Sequence, residues 1–213
     1  MMPKILHVPC LPLDRSWTAV PEATIDWFHP NSATYRPEVV VRIAHSRDTV
    51  HLRWRVADRY VVARTTEVNG EVWKDSCVEW FVQPEADGGY FNLEINAAGT
   101  PLLSYVEDAT LIRGIPRRRH LLPAADIAAI RIVPSLPRNV DAELPGSITW
   151  TLDVDVPLVV FANFLGRPLA CSGSWRCNLY HCADDSSHPR WGAWSPIAES
   201  FHEPAHFGIW NFS

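Results

Sequence analysis

The sequence is short of what several function classes require. Only two methionines, Met1 and Met2, occur among 213 residues, which argues against a Met-ligated haem. No Gly-x-Ser-x-Gly elbow and no glycine-rich phosphate loop is present, so the motif-bearing hydrolases and nucleotide binders have no footing. The nine histidines are scattered, and no metal-binding helix is expected among them. Basic residues are outnumbered, 19 to 24, giving a formal net charge of −5 that disfavours a broad nucleic-acid surface. The run Arg117-Arg118-Arg119 reads as a solvated loop. Long apolar runs are missing too. Val154 to Leu165 is interrupted by Asp155, Pro157 and Asn163 and is too short to span a bilayer. The N-terminal stretch has no apolar core of a signal peptide. A cytoplasmic location is therefore expected, or a secreted one where a leader has been removed.

Helical periodicity is scarce, and 18 prolines break up the chain. Pro157 to Phe164 is the one modest helical segment expected. Five cysteines, an odd number, read as reduced thiols. Cys171, Cys177 and Cys182 with His181 and His188 lack the tight spacing of a structural zinc knuckle, and buried structural thiols are the better reading.

What the chain has is aromatics in strand-like alternation. Ten Trp, five Tyr and eight Phe make up 11% of it. Apolar residues recur at every second position in Thr49 to Val56, Tyr90 to Asn96 and Ser147 to Val156, the pattern of half-buried antiparallel strands. Glu38 to His45, Ser76 to Gln83, Ser174 to Cys182 and His206 to Phe212 are further strands. One more is expected near Ile127 to Val133, within the Pro-rich stretch Glu107 to Gly146. Ala86-Asp87-Gly88-Gly89 turns Ser76–Gln83 into a hairpin with Tyr90–Asn96. No internal repeat or composition shift divides the chain. The expected fold is all-β, a single antiparallel β-sandwich of jelly-roll type over residues 1–213.

The strand faces carry the chemistry. Glu79 alternates with apolar neighbours, and Asn92, Glu94 and Asn96 share one face of the next strand. Arg176, Asn178 and Tyr180 do the same on a third strand, and Arg53 and Arg55 would extend the polar face. Such a face with aromatic rings at its rim suits a sugar: the ring C–H face stacks on an aromatic, and hydroxyls pair with carboxylates, amides and guanidinium groups. The plain alternative is the wet side of an antiparallel sheet. Glu79 and Glu94 also admit a reading as the acid/base pair of a glycosidase.

Three segments together resemble a known family: Val72 to Val82 (Val-Trp-Lys-Asp-Ser-Cys-Val-Glu-Trp-Phe-Val), Tyr90 to Gly99, and Phe201 to Gly208. Trp17, the hairpin at Asp48 and the stretch Trp150 to Pro157 fit as well. The chain is similar to carbohydrate-binding module family 9, in particular to the family-9-like domains of stand-alone bacterial proteins. The resemblance implies a sandwich that binds the ends of glucan or xylan chains without cleaving them. It implies Trp73 as one stacking ring and Glu79 as a hydroxyl acceptor. Phe201 stands where a second Trp is expected, Glu94 where an Arg is expected, and Tyr180 where a polar side chain reaches the ligand. Asn92, Arg176 and Asn178 complete the expected sugar face. Structural calcium occurs in some members, but no ligand set for it is matched here. The expected partner is an oligosaccharide or polysaccharide, with neither nucleic acid nor membrane. The rivals are a glycoside hydrolase using Glu79 and Glu94, and a degenerate sandwich serving protein interaction.

Overall fold

The structure, a computed structural model, describes residues 3–12 and 16–213; Met1 and Met2 lie outside it. The described residues form sixteen strands. In chain order these begin with β1 (Ile5–Val8), β2 (Glu22–Ile25), β3 (Trp27–Phe28), β4 (Glu38–His45), β5 (Thr49–Asp58) and β6 (Val61–Ala63). Next come β7 (Cys77–Gln83), β8 (Tyr90–Asn96), β9 (Pro101–Ile112) and β10 (Ile115–Leu121). The last six are β11 (Arg131–Pro134), β12 (Val140–Leu144), β13 (Ile148–Pro157), β14 (Ser174–Cys182), β15 (Trp191–Ala193) and β16 (Gly208–Phe212). Two short helices, α1 (Ala124–Ile127) and α2 (Val159–Leu165), complete the regular structure with two 3-10 turns. Among the described residues, no helix is long and apolar enough to cross a membrane.

The strands make two main sheets. The larger runs β1-β16-β14-β7-β8-β9-β10, with β15 and β3 attached through β14, and the smaller runs β11-β13-β5-β4-β2. All pairings are antiparallel except β1 with β16. Alternation dictates which side chains meet. Trp54 and Trp150 from the smaller sheet join Trp80, Phe91 and Trp210 from the larger in one buried cluster. Trp80 stacks on Trp210 with centroids 5.5 Å apart, and Phe91 on Phe161 of α2 at 4.2 Å. Each such ring buries a large apolar area, so these layers supply the cohesion of the all-β antiparallel sandwich.

Two parts of the sequence reading need correction. The stretch from Glu107 to Gly146 holds more strand than expected. Ile127 lies in α1, and the strand begins only at Arg131. Upstream, β9 and β10 form a long hairpin, closed by Arg113 and Gly114, both at positive φ. Two such residues flanked by Ile112 and Ile115 make the mirror-image turn that suits a twisted hairpin. Arg117, Arg118 and Arg119 are therefore strand residues of β10, not a loop.

A second correction concerns Arg53 and Arg55. They lie on β5 in the smaller sheet, where they pair with Asp153 and Glu38 on its solvent face, and they contribute nothing to the larger sheet.

One buried ion pair ties the two sheets together. Arg190 and Asp58 are both fully buried and hydrogen-bonded to each other. Arg190 also donates to Ser186 Oγ at 3.0 Å, to the His188 carbonyl at 3.0 Å and to His181 Nε2 at 3.2 Å. Asp58 accepts from the Arg59 and Tyr60 amides. The pair thus fastens the loop between β14 and β15 to the end of β5. Removing one partner strands a buried charge. Arg190→Ala is expected to lower unfolding free energy by roughly 3–5 kcal/mol in urea titration. Lys4→Ala, at the exposed pair with Asp26, is expected to cost less than about 1 kcal/mol.

Candidate functional site

The site begins with strand register. β14, β7 and β8 are neighbours, and Tyr180, Glu79 and Glu94 sit directly across from one another. The next row brings Cys182, Cys77 and Asn96 together, and the previous one Asn178, Phe81 and Asn92. All of these point away from the inter-sheet core. They are nevertheless buried: the segment from Trp194 to Phe207 folds back over Phe81 and Tyr180, and Val72 and Trp73 pack on Cys77 and Cys182. Ile197 and Phe207 pack on Phe81, Tyr90 and Tyr180 as a second apolar cluster.

The covering segment is fastened by polar side chains. Asn178 donates to the Ser195 carbonyl and accepts from the Ser195 amide, both at 2.9 Å. Tyr180 Oη donates to the Phe201 carbonyl at 2.9 Å, and Tyr90 Oη meets His202 Nδ1 at 2.6 Å. Glu203 gathers the amides of Ala198, Glu199 and Ser200. At Gly208 a Cβ would fall 2.3 Å from the Trp194 ring, so only glycine lets the segment lie this close.

The cover is incomplete. A cavity of about 570 Å³ opens over Glu79, Glu94 and Cys182, walled by Trp73, Trp191, Phe201 and His202 and by Arg113 to Pro116 and Arg119 of the β9–β10 hairpin. Trp73 rides on a 3-10 turn, Val72–Lys74, held from below. The buried Asp75 carboxylate accepts from the amides of Arg64 and Thr65 and from Asn96 Nδ2, each at 2.9 Å. The Trp73 carbonyl accepts from the Asp184 amide at 3.3 Å and lies 3.3 Å from Cys182 Sγ. Trp191 is oriented by its indole N–H, which donates to Asp184 Oδ1 at 2.7 Å. Phe201 stacks on Tyr180, centroids 4.0 Å apart.

Of the residues singled out from sequence, Trp73, Glu79, Glu94 and Phe201 line this cavity. Asn92 lies behind it, donating to Glu94 Oε1 at 2.8 Å. Tyr180 and Asn178 are fully buried under the covering segment. Arg176 lies at the far end of β14, beside Ser195 and His206 and outside the cavity. Sequence reasoning missed Trp191, Asp184, His202 and Arg119. The Ile-Arg-Gly-Ile hairpin signal was available for Arg119; Asp184 and His202 come from loops, and Trp191 from the three-residue strand β15.

The two carboxyl groups are electrostatically unusual. Burial pushes Glu79 well above the usual carboxylate range, and the facing Glu94 reinforces this against the Cys182 thiol, which donates to it at 2.9 Å. Burial likewise raises Glu94, to about 7, opposed by Asn92 and by the charge of Arg119. Glu94 Oε2 and Asn92 Oδ1 are buried without a hydrogen-bond partner among the described residues. Burial also drives His202 down, to about 4.

Among the described residues, one group of three His, Cys, Asp or Glu side chains converges: Cys77, Glu79 and Cys182, with ligand atoms within 4.8 Å of one another. Two thiols do not suit calcium, which takes hard oxygen donors, so this set does not fit the calcium that the resemblance allows. All five cysteines are free. The spacing His202-Glu203-Pro204-Ala205-His206 looks like a zinc helix, yet Pro204 opens a 3-10 turn there. His202 turns to Tyr90 and His206 to Glu203. A wide trough on the other sheet, around Trp17, Arg42 and Arg53, carries charges already paired with Glu22 and Asp153.

A β-sandwich with an aromatic-walled polar cavity on one sheet is the architecture of a carbohydrate-binding module. The model of carbohydrate-binding family 9 matches residues 13–212, and the chain belongs to that family. It is similar to the crystal structure of a candidate carbohydrate-binding protein from Bacteroides uniformis: 28% identity, covering 99% of this chain and 100% of that one, TM-score 0.86. A family 9 module from Caldicellulosiruptor kristjanssonii in complex with cellotriose shares the fold at 12% identity, 99% and 94% coverage and a TM-score of 0.63. A further structure of such a module from that organism, with glucose, gives 13%, 99% and 96%, and 0.58. No curated protein sequence matches the chain.

The raised carboxyls make stability depend on pH in a definite sense. Between the ordinary value of 4.5 and about 7, the folded state holds a proton on Glu94 that the unfolded chain has lost. Stability therefore falls as pH rises across that window. Glu94→Gln removes the effect. Its stability relative to wild type is expected to improve by roughly 1–3 kcal/mol between about pH 5 and about pH 8. A pH-independent difference in urea unfolding would refute the burial-driven shift.

Proposed function

We propose that the cavity binds the terminal units of an oligosaccharide of glucan or xylan type and does not cleave it. One observation carries the reading: buried, hydrogen-bond-competent carboxyls, Glu79 and Glu94, form the floor of a cavity whose walls are Trp73, Trp191 and Phe201. Sugar hydroxyls donate to the carboxyl oxygens, and the apolar face of the ring packs on an indole. A volume of about 570 Å³ lies within the range of small-ligand sites. Membership of family 9, and the cellotriose and glucose held by proteins of the same fold, support a saccharide ligand.

Binding is favoured over hydrolysis because Glu79 and Glu94 are direct cross-strand partners on one floor. A glycosidase instead sets its two carboxyls on either side of the scissile bond. Trp73→Ala is expected to weaken cellobiose or xylobiose binding by about 1–3 kcal/mol, by analogy with ring stacking on flat ligands. Tryptophan fluorescence titration measures it. An unchanged affinity would remove Trp73 from the site, and release of reducing sugar lost in Glu79→Gln would replace the binding reading with a hydrolase.

A further inference from the structure

The charges that line the cavity are unevenly answered. Glu71, at the rim, is met by Lys74 at 2.7 Å, and Asp184 by the Trp191 indole N–H. Among the described residues, no cation hydrogen-bonds or ion-pairs with Glu79 or Glu94. Glu79 receives a thiol hydrogen bond and Glu94 an amide one, both from neutral donors. Arg119 lies close enough to favour Glu94's charge but makes neither hydrogen bond nor ion pair with it. Among the described residues, none partners Glu94 Oε2 in the buried floor of the cavity, in a residue only 4% exposed. An unpartnered buried carboxylate oxygen is costly and calls for a donor, preferably a charged one.

We propose that the cavity selects a saccharide bearing a primary ammonium group, a protonated 2-amino sugar, over its neutral counterpart, with the ammonium seated on the Glu79–Glu94 pair. This rests on the reading of the cavity as the saccharide site and names the class of sugar it takes. A hydroxyl offers one donor to two facing carboxyls. An ammonium offers three donors and a positive charge, and charge-assisted hydrogen bonds of this kind are about twice as strong as neutral ones. The aromatic walls act in the same direction, since the faces of Trp73 and Trp191 attract a cation as well as a sugar ring. The ammonium also relieves the repulsion that Glu94 exerts on Glu79.

The test is calorimetric titration of the whole chain, near neutral pH, with D-glucose, D-glucosamine and N-acetyl-D-glucosamine. The fully deacetylated β-1,4-linked disaccharide is titrated alongside. Glucosamine is expected to bind about tenfold or more tightly than glucose, a difference of about 1.4 kcal/mol. The acetylated sugar, which lacks the charge, is expected to bind no better than glucose. In Glu94→Gln, confirmed as folded by its circular dichroism, the ratio of glucosamine to glucose affinity is expected to fall toward one. A tighter disaccharide assigns the source to a chain end and an equal one to the free sugar; both uphold the proposal. Glucose binding as tightly as glucosamine in the wild type overturns it while leaving the saccharide reading intact. Absence of binding by every sugar overturns that reading and the proposal with it.

Discussion

Two carboxyl groups set directly across from each other on adjoining strands, and kept from water, are the constraint around which this molecule is arranged. Register alone brings Glu79 and Glu94 together. On a solvated sheet the pair would be an ordinary repulsive contact of little consequence. Buried, it becomes a pair that cannot hold two full charges without help. The described residues supply partial help through Cys182 and Asn92 and leave one oxygen unanswered. That unfinished network lies at the base of the cavity, where a bound molecule can complete it.

The surrounding polar groups show the opposite treatment. Asp75 is fully engaged by two amides and Asn96, Asn178 by both groups of Ser195, and Asp58 by Arg190 and two amides. Each of these satisfied networks fastens a piece of irregular backbone: the Trp73 turn, the covering segment, and the loop that carries Asp184 toward Trp191. Loops usually bring mobility to a binding site. Here they are pinned by buried hydrogen bonds, so the aromatic walls are held in place before any ligand arrives, and less ordering is needed on binding.

Much of the sandwich was legible because period-two alternation is a direct consequence of the pleat. The strands Glu38–His45, Tyr90–Asn96 and Ser174–Cys182 were read with their observed ends. The β9–β10 hairpin was not, because its outer half is exposed on both faces and shows no alternation from Glu107 onward. Alternation gives the shared face of Glu79, Glu94 and Tyr180, but not which sheet Arg53 and Arg55 join, nor that Asn178 and Tyr180 are covered and Arg176 lies outside the cavity. Residues in loops and in the short strand β15 left still less trace. Trp191, Asp184 and His202 reach the cavity through chain crossings that no local pattern encodes.

The aromatic walls show why a residue-by-residue carry-over is an incomplete guide. Phe201 stands where the family resemblance placed a second indole, and its ring is already stacked on Tyr180. One of its faces is spent on the protein, and a phenyl ring offers less area than an indole for a sugar. Trp191 lines the same cavity from a different strand, with its indole N–H fixed by Asp184 rather than free to turn. An indole from β15 therefore stands in the same cavity wall as Phe201. At position 94, where the resemblance implies an Arg, the floor holds a buried carboxyl whose charge Arg119 favours from nearby. The cavity joins an aromatic wall to a floor of carboxyls whose charge burial opposes, so the donors and charge of a ligand, more than its apolar face, decide how well that floor is answered.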